Sequence, residues 1–204
     1  MLAKIKKIPG ALVRRVKILQ EKMNGLDFTK SHTAEDLNMP KEIAKMYAPT
    51  LKHDFHLIMN HLKIKPTDAI LDYGVGKGAA VAMMSEYPFR LVSGVDISKE
   101  LIDICEKNIK TLGIKNIELF THDAGEFKEI DDYTHFYLFN PFPGNVVKRV
   151  LNNIAKSCER NPRKITFIYY CARHRDVVDE HSYFHEVDEL EGKYWKTIFY
   201  SNIK

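Results

Sequence analysis

The sequence predicts an α/β fold: a mostly parallel sheet with helices on both faces, finished by an antiparallel hairpin. Three observations predict it. From Ile70 onward, short apolar runs alternate with helical patterns, as in strands joined by helical crossovers. The first four of those runs lead into Gly74, Asp96, Thr121 and Asn140, turn-forming or polar residues that belong at strand ends. Near the C-terminus, residues 183–190 and 193–200 are strand-like and joined only by Glu191-Gly192, a connection short enough to demand antiparallel pairing.

Residues 1–22 hold Lys4, Lys6, Lys7, Arg14, Arg15, Lys17 and Lys22 against the single acid Glu21. The segment therefore carries +6 in a chain of net charge +4, and the remainder carries −2. Leu12, Val16, Leu19 and Met23 recur at helical spacing with basic residues elsewhere around the wheel, so a basic amphipathic helix is expected. Two readings stand. The helix makes a peripheral contact with an anionic membrane surface, or its apolar stripe packs on its own domain or on a second subunit. No basic stripe interleaved with aromatics follows, so nucleic acid is not the expected partner.

Asn24-Gly25 reads as a helix stop and Asn38-Met39-Pro40 as a turn. Residues 41–47 read as a short helix. Pro49-Thr50 starts another that runs to about residue 63, with Leu51, Phe55, Ile58 and Leu62 as its apolar face. Lys65-Pro66-Thr67 then separates an N-terminal basic and helical cap segment, 1–63, from an α/β domain, 64–204.

Residues 70–80, ILDYGVGKGAA, read as strand, tight turn and helix. Such a turn lets a ligand approach the main chain near the positive end of a helix dipole. Gly74, Gly76 and Gly78 are spaced G-x-G-x-G, whereas a dinucleotide fingerprint is G-x-G-x-x-G/A; Ala79 can serve as the small third residue, so spacing alone leaves the ligand open. Asp96 ends the second run, 22 residues after Gly74. There it can accept from both hydroxyls of a ribose, or cap the helix that begins at Ser98. The third run leads to Thr121-His122-Asp123-Ala124 and the fourth to Asn140-Pro141-Phe142-Pro143. Helices are expected over 78–87, 98–112, 144–159 and 174–181.

LDYGVGKG, GVDIS, THDA and FNPFP, in this order and at these intervals, resemble the successive motifs of class I S-adenosylmethionine-dependent methyltransferases over residues 40–204. The resemblance implies a Rossmann-like three-layer sandwich around a seven-stranded sheet, S-adenosylmethionine as cofactor, and methyl transfer as the reaction. On the matching positions it implies that Gly74, Gly76 and Gly78 admit the methionine part of the cofactor, whose ammonium is met by Asp72 or by backbone carbonyls. It further implies that Asp96 takes the ribose hydroxyls and Ile97 faces the adenine ring. It also implies that Asp123 accepts from the adenine amino group while the Ala124 backbone donates to a ring nitrogen. Tyr47 and Thr50 match an aromatic and hydroxyl pair that covers the cofactor. Tyr47-Ala48-Pro49-Thr50 followed by DYGxGKG is similar, more locally, to bacterial methyltransferases distantly related to the histone-lysine enzymes that lack a SET domain.

Asn140-Pro141-Phe142-Pro143 is similar to the [Asn/Asp]-Pro-Pro-[Tyr/Phe] motif of amino methyltransferases, which makes Asn140, Pro141 and Phe142 the catalytic candidates. The resemblance implies that the Asn140 side-chain oxygen and a proline carbonyl accept from the target nitrogen. Only one proline precedes Phe142, a departure that bears on recognition of a planar base. Plainer roles stand beside these: turn geometry for the glycines and for Asn140 to Pro143, helix caps for Asp72 and Thr50, a core cap for Tyr47.

Transfer from a sulfonium depends on in-line positioning and exclusion of water more than on acid–base groups. A hydroxyl acceptor needs a base, and His122, His135, His174 and Asp123 show no paired spacing, which favours a nitrogen acceptor. The alternatives are methylation of a hydroxyl on a glycan or small metabolite, and a cofactor-binding scaffold without turnover. A nicotinamide-dependent oxidoreductase is disfavoured by the glycine spacing.

Hydrophobic residues make up 45% of the chain, but no apolar run approaches the length of a membrane span. The N-terminus lacks the apolar core and cleavage site of a secretory signal. Cys105, Cys158 and Cys171 are scattered, without C-x-x-C spacing, so neither a disulfide framework nor a zinc site is expected. His53, His56 and His61 share a helix but form no H-E-x-x-H pattern, and no metal is expected. A cytoplasmic location follows as the expectation, with any membrane contact confined to residues 1–22. The acceptor and the oligomeric state stay open.

Overall fold

The computed structural model describes residues 10–30, 35 and 50–203. The short helix expected over 41–47, with the candidate Tyr47, lies outside the described residues. Strands β1 (Ala69–Tyr73), β2 (Leu91–Asp96), β3 (Ile117–Thr121), β4 (His135–Phe139), β5 (Thr166–Tyr170), β6 (His185–Glu191) and β7 (Lys196–Ser201) form one sheet ordered β3-β2-β1-β4-β5-β7-β6. The first five are parallel, and β7 runs antiparallel between β5 and β6. This is the seven-stranded Rossmann-like sheet with its terminal antiparallel hairpin. Its seventh member is β5, a strand that sequence patterning had not singled out.

Helices α1 (Gly10–Met23), α2 (Lys52–His61), α3 (Ala79–Met84), α4 (Lys99–Thr111), α5 (Gly144–Arg160) and α6 (Arg175–Asp179) complete the described structure. All five residues of β1 are buried, so alternate side chains feed two separate cores. Leu71 and Tyr73 meet Val147, Val150, Leu151 and Ile154 of α5 and Val178 of α6 on one face. On the other, Ile70 meets Phe55 and Ile58 of α2, Val81 of α3 and Ile102 of α4. The α5 residues recur at three- and four-residue steps, which is why one stripe of that helix is buried while Lys148 and Lys156 stay in solvent. Fully burying each such aliphatic side chain stabilises the fold by about 1.5–3 kcal/mol.

The chain winds outward from β1 through β2 to β3, then returns to β4 on the other side of β1. Strand order therefore reverses between β1 and β4. Their carboxyl ends, Tyr73-Gly74 and Phe139-Asn140, open the crevice in which ligands of such sheets lie.

The terminal hairpin departs from the expected boundaries. Its second strand begins at Lys196 rather than at residue 193. The N–H groups of Lys193 and Tyr194 donate instead to the Asp54 carboxylate of α2, at 2.9 and 3.0 Å. The same carboxylate accepts the Tyr170 hydroxyl at 2.8 Å and lies 3.0 Å from His53 Nδ1. Burial alone would raise the Asp54 pKa, but these hydrogen bonds hold it down at about 2. The effect is to pin the β6–β7 turn over the ends of β4 and β5. Trp195 sits there with its ring 5.5 Å from Phe139 and 5.8 Å from Tyr170.

The basic helix α1 does not lay its described apolar side chains on its own domain. Glu21, the acid on its polar side, is buried. It accepts from Thr29 Oγ1 at 2.5 Å and from the N–H groups of Thr29 and Phe28 at 2.7 and 3.0 Å. Val13, Val16, Leu19 and Met23 are exposed. Where described, α1 thus meets the rest of the protein through its polar side.

Candidate active site

The turn after β1 is shaped by close contacts as much as by any ligand. Gly74 has φ +78°, and a Cβ built on it would lie 2.4 Å from Pro141 Cβ. Gly78 has φ +85°, and its Cβ would lie 2.4 Å from the Cys105 sulfur of α4. Glycine is therefore required at both positions, to let the turn after β4 and the helix α4 close on this loop. Gly76 contributes its N–H, which donates to Asp96 Oδ2 at 2.9 Å.

Asp96 ends β2, and its second carboxyl oxygen accepts the Ser98 N–H at 3.0 Å. Ser98 Oγ in turn accepts from Leu101 N, so Ser98 is the N-cap of α4 and Asp96 is not. Burial raises the Asp96 pKa against the opposing hydrogen bonds from Ser98, Gly76 and Ile97. Ile97 beside it is an exposed apolar side chain at the strand end.

Asp72 is the second acid of this crevice, in register with Gly94 of β2 and Tyr137 of β4. It is buried, and among the described residues none forms a hydrogen bond with its carboxyl. Burial first, and the neighbouring Asp96 charge second, push its pKa up to about 8. It caps no helix: α3 begins after Gly78, which has no side chain to cap with. Thr50 does not cap α2 either, whose N-cap is Leu51. Thr50 instead lies beside the Tyr137 hydroxyl, which is buried near Asp72 and makes no regular hydrogen bond.

Asp123 has a more occupied carboxylate. It accepts the Gly125 N–H at 2.7 Å and faces Arg149 at 3.4 Å. Ala124 turns its methyl into the core beneath. The backbone of this turn is held near Asp96, since His122 N donates to Asp96 O at 2.9 Å.

At the end of β4, Asn140 has φ +40°, a left-handed conformation that asparagine tolerates better than most residues. Its side-chain Oδ1 is buried and, among the described residues, accepts no hydrogen bond. Pro141 lies directly over Gly74, and Phe142 is partly buried against the α5-side core. Of the four base candidates, His135 is at the opposite, amino end of β4. Burial lowers its pKa to about 4. His122 and Asp123 follow β3, and His174 packs near Gly144 at the start of α5, on the Asn140 side of the crevice.

Sequence reasoning passed over Lys77, in the middle of the glycine turn. Its side chain is fully buried, with Nζ 2.6 Å from Asp27 Oδ1 and 2.8 Å from Lys30 O. Asn108 of α4 joins the same strap, accepting from Asp27 N and donating to Asp27 O and Lys77 O. Burial lowers the Lys77 pKa, and the Asp27 charge opposes that shift. The loop after α1 is thereby fastened to the glycine turn. Nothing local in the sequence signals a partner fifty residues away. Among the described residues no group of three or more His, Cys, Asp or Glu is placed to hold a metal ion.

A sheet reversing between β1 and β4, glycines after β1, an acid ending β2 and a polar turn after β4 form the ligand crevice of a Rossmann-like sheet. The buried and unpaired Asp72 carboxyl, with Asp96 beside it, suits a cofactor that carries an ammonium group and ribose hydroxyls. Residues 70–161 match the family model described as a methyltransferase domain. A probable cobalt-precorrin-6B C(15)-methyltransferase (decarboxylating) of Methanococcus vannielii is 31% identical over 118 residues, 57% of this chain and 62% of that protein. The ribosomal RNA small subunit methyltransferase A of Malacoplasma penetrans is 28% identical over 99 residues, 48% of this chain and 35% of that one. The chain thus spans less than two thirds of the length of either relative. The fold is shared with an S-adenosylmethionine-dependent methyltransferase from Aquifex aeolicus, at TM-score 0.60 and 13% identity over 74% of this chain and 90% of that one.

Asp72 makes the site sensitive to pH. Its carboxyl titrates near 3.8 when unperturbed and near 8 in the folded protein. Between those values the folded state holds a proton that the unfolded chain has released. Stability should therefore fall as pH rises through this window, by up to about 1.4 kcal/mol per unit, and level off above it. Asp72→Asn should flatten that slope in urea titrations. Bringing a cationic ammonium to Asp72 at neutral pH should expel close to one proton, measurable by calorimetry in buffers of different ionisation enthalpy. Equal proton release from wild type and Asp72→Asn would remove Asp72 from this role.

Proposed function

We propose that the chain transfers a methyl group from S-adenosylmethionine to a neutral nitrogen held at Asn140. Asp72 and the glycine turn hold the amino-acid end of the cofactor, Asp96 the ribose, and Ile97 one face of the adenine. The Ala124 backbone lies at the adenine edge, and Thr50 lies near the cofactor beside Tyr137. Tyr47 belongs with Thr50 by its place in the chain. The bound cofactor supplies an electrophilic methyl on a sulfonium leaving group.

The observation that carries the acceptor reading is the buried, unpaired Oδ1 of Asn140. A buried acceptor without a donor costs about 1–3 kcal/mol, and such an atom at a crevice mouth is a place for a substrate N–H. An amide oxygen accepts a hydrogen bond without taking the proton. The nitrogen therefore keeps its lone pair for the methyl, while Pro141 holds the backbone and Phe142 backs the turn. A hydroxyl acceptor is the second reading, favoured by His174 on the same side of the crevice, which offers a base.

The experiment is transfer of isotopically labelled methyl from S-adenosylmethionine to mixtures of primary amines, aromatic ring nitrogens, glycans and small hydroxy compounds, with products resolved by mass. Label on nitrogen is the expected result. Label on oxygen, lost in His174→Ala, would replace it with the second reading. Saturable cofactor binding with no labelled product from any mixture would favour a cofactor-binding scaffold.

A further inference from the structure

We propose that α1 is a docking helix that lays its apolar stripe on an anionic membrane surface. Among the described side chains the stripe is outward: Val13, Val16, Leu19 and Met23 are 54, 46, 61 and 86% exposed. An amphipathic helix normally buries this face against its own domain. Here the opposite face makes the attachment, through the buried Glu21 clamp on Thr29 and Phe28. Beyond it, the Asp27–Lys77 pair and the Asn108 bridge fasten the following loop to the body. The helix is thus held with its apolar side turned away from the protein.

Charge selects the occupant. On the helical wheel Arg15 and Lys22 line one edge of the stripe and Lys17 the other. All three are exposed, and the one acid of the helix is turned inward. The sequence adds Lys4, Lys6 and Lys7 just before. Aliphatic side chains between basic edges suit the boundary between anionic headgroups and acyl chains. A second copy of the same helix would set these cations against one another, and no aromatic residue lies on α1 to stack on nucleic-acid bases. Each basic residue near an anionic surface adds about 1 kcal/mol to its attraction.

The test is co-sedimentation of the full chain with vesicles of phosphatidylcholine alone and of phosphatidylcholine mixed with phosphatidylglycerol, across a salt series. The expected result is partition to the anionic vesicles only, weakened by salt. It should fall about tenfold or more in Val16→Glu/Leu19→Glu, and again in Arg15→Glu/Lys22→Glu. These side chains lie outside both cores, so circular dichroism and cofactor binding should match wild type in every variant. Three results would overturn the proposal: equal partition of wild type and variants; a concentration-dependent dimer, abolished by Val16→Glu/Leu19→Glu, in a protein that ignores vesicles; or retention by unrelated RNA without vesicle binding.

Discussion

Replacing Asn140 with alanine is expected to lower kcat by about 10²-fold or more, while calorimetric affinity for S-adenosylmethionine and S-adenosylhomocysteine stays within about twofold. The split follows from where Asn140 stands. Its Oδ1 is buried and unpaired at the end of β4, on the opposite side of the glycine turn from Asp96. Under the proposed function it orients an acceptor and does not hold the cofactor. Losing a side chain that accepts from no described donor should leave the fold intact, because the desolvation cost it spares offsets the strain of alanine in the left-handed backbone of this position. Asn140→Asp keeps an oxygen there but adds a charge. With a nitrogen acceptor it should retain part of the activity. An Asn140→Ala enzyme with unchanged kcat would show that this turn is only a structural corner.

Gly74→Ala is expected to damage stability and turnover together. The new methyl would be placed in a left-handed conformation that costs about 1–2 kcal/mol and would stand 2.4 Å from Pro141 Cβ. No flexible side-chain end lies there to yield, so the turn carrying Asn140 must shift. A loss of about 3 kcal/mol in urea unfolding is expected, with turnover falling by about 10²-fold because a displacement of this size misplaces the acceptor. Pro141→Gly in the same chain should recover part of the stability, since it relieves the contact but not the backbone strain. Strictly additive losses in the double variant would show that the two turns are not coupled in this way.

Much of this architecture was legible in the chain. The glycine turn, Asp96 and the polar residues after Thr121 and Phe139 follow apolar runs short enough to be strands, and order along the sequence places their ends at one edge of a parallel sheet. The hairpin was legible too, because so short a connection allows only antiparallel pairing. Strand β5 was harder to see. Its residues, TFIYY, are nearly all buried, so it carries neither the alternation of a half-exposed strand nor a chemical motif at its end.

Sequence by itself determined the fold class, the family resemblance and the candidate cofactor residues, since each rests on residue type and spacing within a few positions of the chain. Tertiary structure decided what those side chains meet. It gave Gly74 and Gly78 their neighbours in Pro141 and Cys105, joined Lys77 to Asp27, and set Asp54 beneath the β6–β7 turn. Among the described residues it also left the Asn140 Oδ1 and the Asp72 carboxyl buried without hydrogen-bond partners, and turned the exposed apolar residues of α1 outward. Such outcomes depend on contacts between residues tens of positions apart, and hydrophobic periodicity records only that a helix has an apolar face, not what will cover it.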